Sequence, residues 1–504
     1  MSSSRVPEGV AATVHTERES MGSLALMKSI VPGRWLRIAF LLLSCAGIAQ
    51  NAWAVPSYNR QTGQNCVACH AGGQFPELTP YGRMFKLTGY TIGTRALPLA
   101  AMGVVSYNKT ANTSDPAGDA RADFPKDGNV IFSTGSVFLA GKITDMLGAF
   151  VQITYNRYDS LSPDDGHWAG HTQSDNLDIR LVDRFISPKQ DLIVGLSLNN
   201  NPSVQDVWNS APAWGFNAVP GSQGPATTPL LAGGLAQSVA GLSAYAYWNS
   251  TVYAELGNYR TANGFWSFMS QGLNSTRGDQ QIVTSSNPYW RLALTREWGP
   301  HNLMVGTMGM IAHVYPDPAD PTGPTNSFRD IGLDAQYQYL LDPHSFTGTV
   351  SYIKERISYA DSLANQPAPL DPDGSLGLNL PLTNATDTLK MLRIKGSYVY
   401  HAKYGGTLSF FDVRGSTNSA LQSSANDPNN PGQVIGPSVT GNLSGNPATR
   451  GFTTEIFWTP VQFARVGLQY TWFNKFNGAG NNYDGFGRNA SDNNALFLYV
   501  WGAY

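Results

Sequence analysis

The sequence predicts an all-β chain: a transmembrane antiparallel β-barrel of about 16 strands behind a small N-terminal segment that is mostly α or irregular. Three observations predict it. Apolar and polar residues alternate with a period of two over many stretches. The stretches are joined by connections that are short and long in turn. Charged residues make up only 13% of the 504 residues, about half the usual share of a soluble domain. Yet no apolar run past the leader approaches the roughly 20 residues of a membrane helix.

The elements follow in chain order. From Met27 the chain reads MKSIVPGRWLRIAFLLLSCAGIAQNAWA, with Lys28, Arg34 and Arg37 ahead of an apolar core and Ala52-Trp53-Ala54 at its end. This is the pattern of a secretory signal peptide with cleavage after Ala54, so residues 1–54 are assigned to it. Residues 1–26 lack the pattern, and the expected translation start is Met21 or Met27. A membrane anchor is the competing reading, but the apolar stretch is too short to span a bilayer. Cys45 loosely resembles a lipid-attachment site; the better cleavage site lies downstream of it.

Residues 64–73 read QNCVACHAGG. The chain has three cysteines, and two of them, Cys66 and Cys69, stand three apart with His70 directly after. Cys-x-x-Cys-His is the pattern of c-type haem attachment: two thiols bond the vinyl groups and the adjacent imidazole serves as proximal iron ligand. A structural zinc site would need four ligands, and the next histidine is His167. A thioredoxin-like redox pair would be expected near a βαβ pattern, which is not found. One covalent haem c, held by Cys66, Cys69 and His70, is therefore the leading reading for a segment spanning 55–96.

Within that segment Thr79-Pro80 reads as a helix cap followed by a first-turn proline, and Gly89 can end the helix. Met84 on this helix and Met102 in the first strand are the candidate distal iron ligands. Met84 has a plain alternative as a packed methionine, and an open sixth position or a distant histidine is a further alternative to both. Arg83 and Lys86 are candidates to pair with haem propionates, or are ordinary solvent-facing charges. About forty residues rarely fold alone, so the segment is expected to plug the barrel mouth or lumen and borrow contacts from the wall.

The barrel is assigned to 97–504, with strands expected near 98–108, 129–141, 146–157, 177–187, 191–199, 238–248, 250–260 and 288–297. Eight more are expected near 302–314, 328–341, 345–358, 388–401, 405–415, 450–459, 463–475 and 494–504. In RDIGLDAQYQYLLD, Ile331, Leu333, Ala335, Tyr337 and Tyr339 share one face, opposite Gly332, Asp334, Gln336 and Gln338. Short connections such as PKQ, DPH and AKY alternate with long ones rich in Gly, Pro, Asn and Ser. That asymmetry fits short periplasmic turns and long extracellular loops. The last strand places Leu496, Leu498, Val500, Gly502 and Tyr504 on one face and the aromatic Phe497, Tyr499 and Trp501 on the inward one, either to pack against the plug or, with the register one residue off, as interfacial aromatics.

Net charge is −2, which argues against nucleic acid as a partner. The loop YDSLSPDDGHWAGHTQSDN gathers Asp164, Asp165, His167, His171 and Asp175, oxygen and imidazole groups that suit ferrous iron. The same residues also read as a hydrated loop.

The run PSYNRQTGQNCVACHAGGQFPELTPYGRMFKLTGYTIG, followed by about 400 residues of barrel-like pattern, resembles the fused monohaem cytochrome–porins of the outer membrane. That family is best known from iron-oxidising bacteria. The resemblance is sharp over 56–93 and architectural beyond. It carries Cys66 and Cys69 over as thioether sites and His70 as proximal ligand. It implies an electron conduit in the outer membrane of a Gram-negative bacterium, with its haem in the lumen or on the periplasmic side. Electrons would come from an external donor such as Fe(II) and pass to a periplasmic c-type cytochrome, a ferrous iron:cytochrome c oxidoreductase activity. The alternative is a diffusion porin with a structural or redox-sensing cytochrome plug. A third reading reverses the direction of electron flow.

Overall fold

The computed structural model describes residues 56–73, 76–112, 127–161, 168–210, 224–225, 227–272, 280–316, 318, 320–359, 384–418, 425–426, 434–435, 442–485 and 487–504. The leader, with Cys45 and both candidate starts, lies outside them. So do Asp164, Asp165 and His167.

Sixteen antiparallel strands close into one barrel, each paired with its chain neighbour and the first with the last. They are β1 (Leu99–Thr110), β2 (Asp127–Lys142), β3 (Leu147–Leu161), β4 (Trp168–Ser187), β5 (Gln190–Asn199), β6 (Val239–Trp248), β7 (Val252–Thr261), β8 (Asn287–Trp298), β9 (His301–Val314), β10 (Asn326–Leu341), β11 (His344–Ser358), β12 (Thr386–Tyr400) and β13 (Tyr404–Gly415). A two-stranded hairpin, β14 (Ala425–Asn426) and β15 (Val434–Ile435), stands in the next long connection. The wall then finishes with β16 (Thr449–Val461), β17 (Ala464–Lys475) and β18 (Ala495–Ala503). Closure leaves no open sheet edge, the condition for a sheet to sit in lipid.

Every strand expected from the sequence is present. One boundary is corrected: β4 begins at Trp168 rather than near 177. His171 and Asp175 therefore belong to the wall rather than to a loop, because their neighbours pair with β3, with His171 opposite Asn156.

The period-two pattern sets which side chains meet which solvent. On β10, Asp330 and Asp334 are 3% and 5% exposed, whereas Ile331 and Leu333 are 61% and 60% exposed. Polar groups thus face the lumen and aliphatic ones face outward, the reverse of a soluble core. Trp248, Trp298, Tyr398, Tyr400, Tyr404 and Trp458 stand exposed beside the short turns. They form an aromatic girdle at one interface of the apolar band.

Part of the chain enters the lumen. The connection after β5 turns inward; residues 200–208 and Ser210 are buried, and Asn209 between them is half-buried. Trp208 and Val207 pack with Val182, Ile193, Tyr245, Tyr253 and Leu87. Arg291 of β8 holds this inward loop to the wall. Its guanidinium meets Asp334 in a two-pronged pair at 2.6 and 2.7 Å and lies 3.4 Å from Asp206 of the loop. Ser210 also hydrogen-bonds to Asp334.

Outside the wall, the connection after β7 folds back over its neighbours. Its short 3-10 stretch Gly264–Met269 lays Met269 and Ala262 on Leu177 of β4 and Ala240 of β6, with Trp266 at the margin. The Asn200 side chain donates to the Met269 carbonyl at 3.0 Å and fixes this flap.

Candidate functional site

The cysteine motif forms a single helical turn, α1 (Pro56–Thr62) preceding it and α2 (Cys66–Cys69) containing it. The His70 N–H donates to the Cys66 carbonyl at 2.8 Å, which ends the turn with the imidazole directly after both thiols. Residues three apart share a helix face. Two further backbone bonds tie the loop that follows. Ala71 N–H donates to the Glu77 carbonyl and Thr79 N–H to the Cys69 carbonyl, both at 2.9 Å.

Helix α3 (Pro80–Leu87) starts where the sequence predicts, its cap Thr79 accepting from the Gly82 N–H at 3.1 Å. The helix runs hard against the motif: a Cβ on Gly82 would lie 2.1 Å from the Cys69 carbonyl oxygen. Gly82→Ala is therefore expected to push α3 off the turn, at about 1–3 kcal/mol or more. Protease cleavage between residues 63 and 79 should accelerate while the barrel keeps its heat-modifiable gel mobility. Wild-type protection of that stretch in the variant would contradict this packing.

The segment is stitched to the barrel at the short-turn end. Cys66 N–H donates to Gln462 Oε1 at 3.3 Å, and its thiol lies 3.4 Å from the Gln462 carbonyl. Arg465 donates to the Gly73 carbonyl at 3.1 Å, and buried Glu77 pairs with Lys395. Tyr58, Phe85 and Tyr90 form its small aromatic core, with Tyr58 stacked on Tyr90 at 5.5 Å. The Tyr90 hydroxyl donates to Asp178 of β4 at 2.6 Å, and Tyr245 of β6 donates to the Leu87 carbonyl at 2.7 Å. The wall thus supplies hydrogen bonds and an ion pair to this segment.

Electrostatics separate the three motif residues. Burial, and then the nearby Arg465 guanidinium, push His70 down to about 3 against an opposing hydrogen bond to the Glu77 backbone carbonyl. The imidazole is thus neutral at ordinary pH, the form that binds metals. Burial and the neighbouring Cys66 push the Cys69 thiol up to about 11.

Other expected roles are revised. Arg83 and Lys86 are neither solvent-facing nor free for propionates. Arg83 donates to the Leu78 carbonyl and Gln338, each at 2.9 Å, and Lys86 donates to the Val204 and Asp206 carbonyls at 2.6 and 3.1 Å. Burial pushes Lys86 down to about 8, and Arg180 adds to that effect. Met84 packs at the edge of the Leu87–Trp208 cluster. Met102 receives a hydrogen bond from Trp501 Nε1 at 3.4 Å. Phe497 and Tyr499 do face inward, where they pack with Ala495, Val104 and Trp501 of the wall. Asp175 accepts from Thr154 at 2.7 Å and from Asn176 and Gln237 at 3.0 Å. Among the described residues, no group of three or more His, Cys, Asp or Glu is arranged to hold a metal ion.

Sequence reasoning missed the inward loop. Its signal was present: Val204, Val207 and Trp208 interrupt an otherwise polar connection, and such residues seek cover.

The chain matches no family model and no curated protein. Among solved structures it is similar to the outer membrane channel DcaP of Acinetobacter baumannii, at 12% identity and a TM-score of 0.41, over 81% of this chain and 96% of that one. It is also similar to the anion-selective porin from Comamonas acidovorans, at 10% identity and 0.40, over 81% and 98%. A third is Salmonella typhi OmpF in complex with daunomycin, at 9% identity and 0.41, over 81% and 97%. At these identities the likeness is confined to the fold. The lipid-facing band, the aromatic girdle and the closed sixteen-strand sheet make the chain a porin-like β-barrel of the bacterial outer membrane.

Proposed function

We propose that this barrel carries one covalent haem c at the periplasmic mouth and exchanges electrons between an external donor and a periplasmic c-type cytochrome. The observation that carries the reading is the Cys66–Cys69 turn with His70 beside it, fixed to the wall where the short periplasmic turns lie. The donor set fits the group: two thiols on one helical turn, followed directly by an imidazole. Exposed Val67, with Tyr81 close to Cys69, provides apolar surface next to it.

When bound, a haem supplies reversible one-electron chemistry between ferrous and ferric iron. The chain's own residues do the rest. Cys66 and Cys69 would tether it, His70 would supply a nitrogen ligand to its iron, and Met84 and Met102 are the candidates for a second ligand. The paired backbone bonds at Ala71 and Thr79 hold the loop, and Lys395 and Arg465 hold the loop to the barrel. The proposed domain division is 1–54, 55–96 and 97–504, a leader, a cytochrome segment and a barrel.

The proposed donor is Fe(II). Added anaerobically to the oxidised protein in detergent, it is expected to raise reduced c-type absorption bands. Reduction by dithionite but not by Fe(II) would retire iron as the donor. The second reading, a diffusion channel with a structural or redox-sensing plug, draws on the sixteen-strand wall itself. Solute flux in a liposome-swelling assay, without any redox response to donors, would favour it.

A further inference from the structure

A band of positive charge on the outer wall finds no carboxylate counterpart among the described residues. Arg329 (β10), Lys354 and Arg356 (β11) and Lys390 (β12) all stand exposed, on the face that carries Ile331, Leu333, Val350 and Ile394. They belong to adjacent strands, and the register sets like against like. Arg329 is directly opposite Arg356, and Lys354 is directly opposite Lys390. Lys390 in turn faces Arg414 of β13. Directly opposed side chains of one charge repel across a strand pair. Among the described residues none of Arg329, Lys354, Arg356 and Lys390 meets a carboxylate within ion-pair range. Asp412 is engaged by Arg414 at its side and by Arg450 of β16 at 3.3 Å. A wall that keeps cations in register at the cost of mutual repulsion is built for an external anion.

The height of the belt says which anion. His344 lies at the short-turn end of β11, and Lys354 lies near its other end. At about 3.3 Å per residue and a tilt near 40°, the stretch between them rises about 25 Å, the height of the apolar band. The belt therefore stands at the outer headgroup level, directly above aliphatic side chains that face acyl tails. We infer that Arg329, Lys354, Arg356 and Lys390 form a binding site for the phosphate groups of an outer-leaflet lipid, whose tails lie along Ile331, Leu333, Val350 and Ile394. Guanidinium groups bind phosphate through two parallel bonds, and lysines add point charge. The opposed pairs lose their repulsion once a phosphate sits between them. This site is independent of the haem reading, because it lies on the outer surface and uses no residue of the plug.

The test uses the full-length protein in detergent, with bisphosphorylated lipid A as probe and native mass spectrometry as readout. Wild type is expected to retain the lipid, and R329Q/K354Q/R356Q/K390Q to lose affinity by at least about tenfold. K354R/K390R, which keeps the charge, should retain it. Raising sodium chloride from 0.1 to 1 M should weaken binding to wild type, a measurement that needs no variant to fold. Equal retention by wild type and the quadruple variant would overturn the site. So would salt-insensitive binding, displacement by millimolar inorganic phosphate, or loss of the belt's effect in favour of a second copy of this chain bound at that face.

Discussion

Replacing both Cys66 and Cys69 with alanine is expected to abolish covalent haem. The denatured chain should lose all in-gel haem staining, and each single replacement should lower it strongly. The reason lies in the proposed tether: noncovalently held haem does not survive denaturation, whereas thioether bonds do. His70→Ala should act differently. The tether survives, so staining persists, but the spectrum in the native state should lose its normal axial field. Undiminished staining in the double variant would remove the cytochrome segment from the proposal. An unchanged native spectrum in the His70 variant would remove only the assigned ligand.

Arg291→Leu is expected to cost about 3–5 kcal/mol, the scale for breaking a buried ion pair by deleting one partner. Arg291 is fully buried, and its loss leaves Asp334 and Asp206 in a shared space without their cation. The inward loop hangs from this point, so the loop should detach before the wall opens. The expected readout is faster proteolysis within 200–210 and a lower urea midpoint in lipid micelles. Adding Asp334→Leu should recover part of the loss, because the second change removes a stranded charge. A wild-type midpoint for Arg291→Leu would mean that the loop is held by its other contacts, the bonds from Lys86, Arg180 and Gln336 to its carbonyls and the apolar packing of Trp208 and Val207.

The wall was legible because its signal is periodic and local. Alternation in 331–339 and 392–400 reports a two-solvent environment residue by residue, and it placed all sixteen strands. It failed at the start of β4, where His171, Gln173 and Asp175 look like loop residues. There the lumen-facing side of a barrel strand is polar too, so polarity alone does not mark its end. The helix after the motif was legible from Thr79 and Pro80, since capping is a short-range effect. Arg83 and Lys86 were misjudged because their partners come from Gln338, Asn302 and the loop at 204–206, which nothing near residue 83 announces. The cation belt was hidden for the same reason. Lys354 and Lys390 become neighbours only when β11 and β12 pair. The motif at 66–70 stood out by residue type alone.

The bond from Cys66 to Gln462 joins residues 396 apart in the chain. The earliest part of the exported polypeptide therefore waits for nearly the last hairpin before its anchor exists. On the proposed haem reading, attachment in the periplasm has to precede closure, since Cys66 is afterwards buried against Gln462. Maturation would then run in a fixed sequence, cofactor first and cylinder second. A cell that failed at ligation would be left with a barrel closing around an empty stopper.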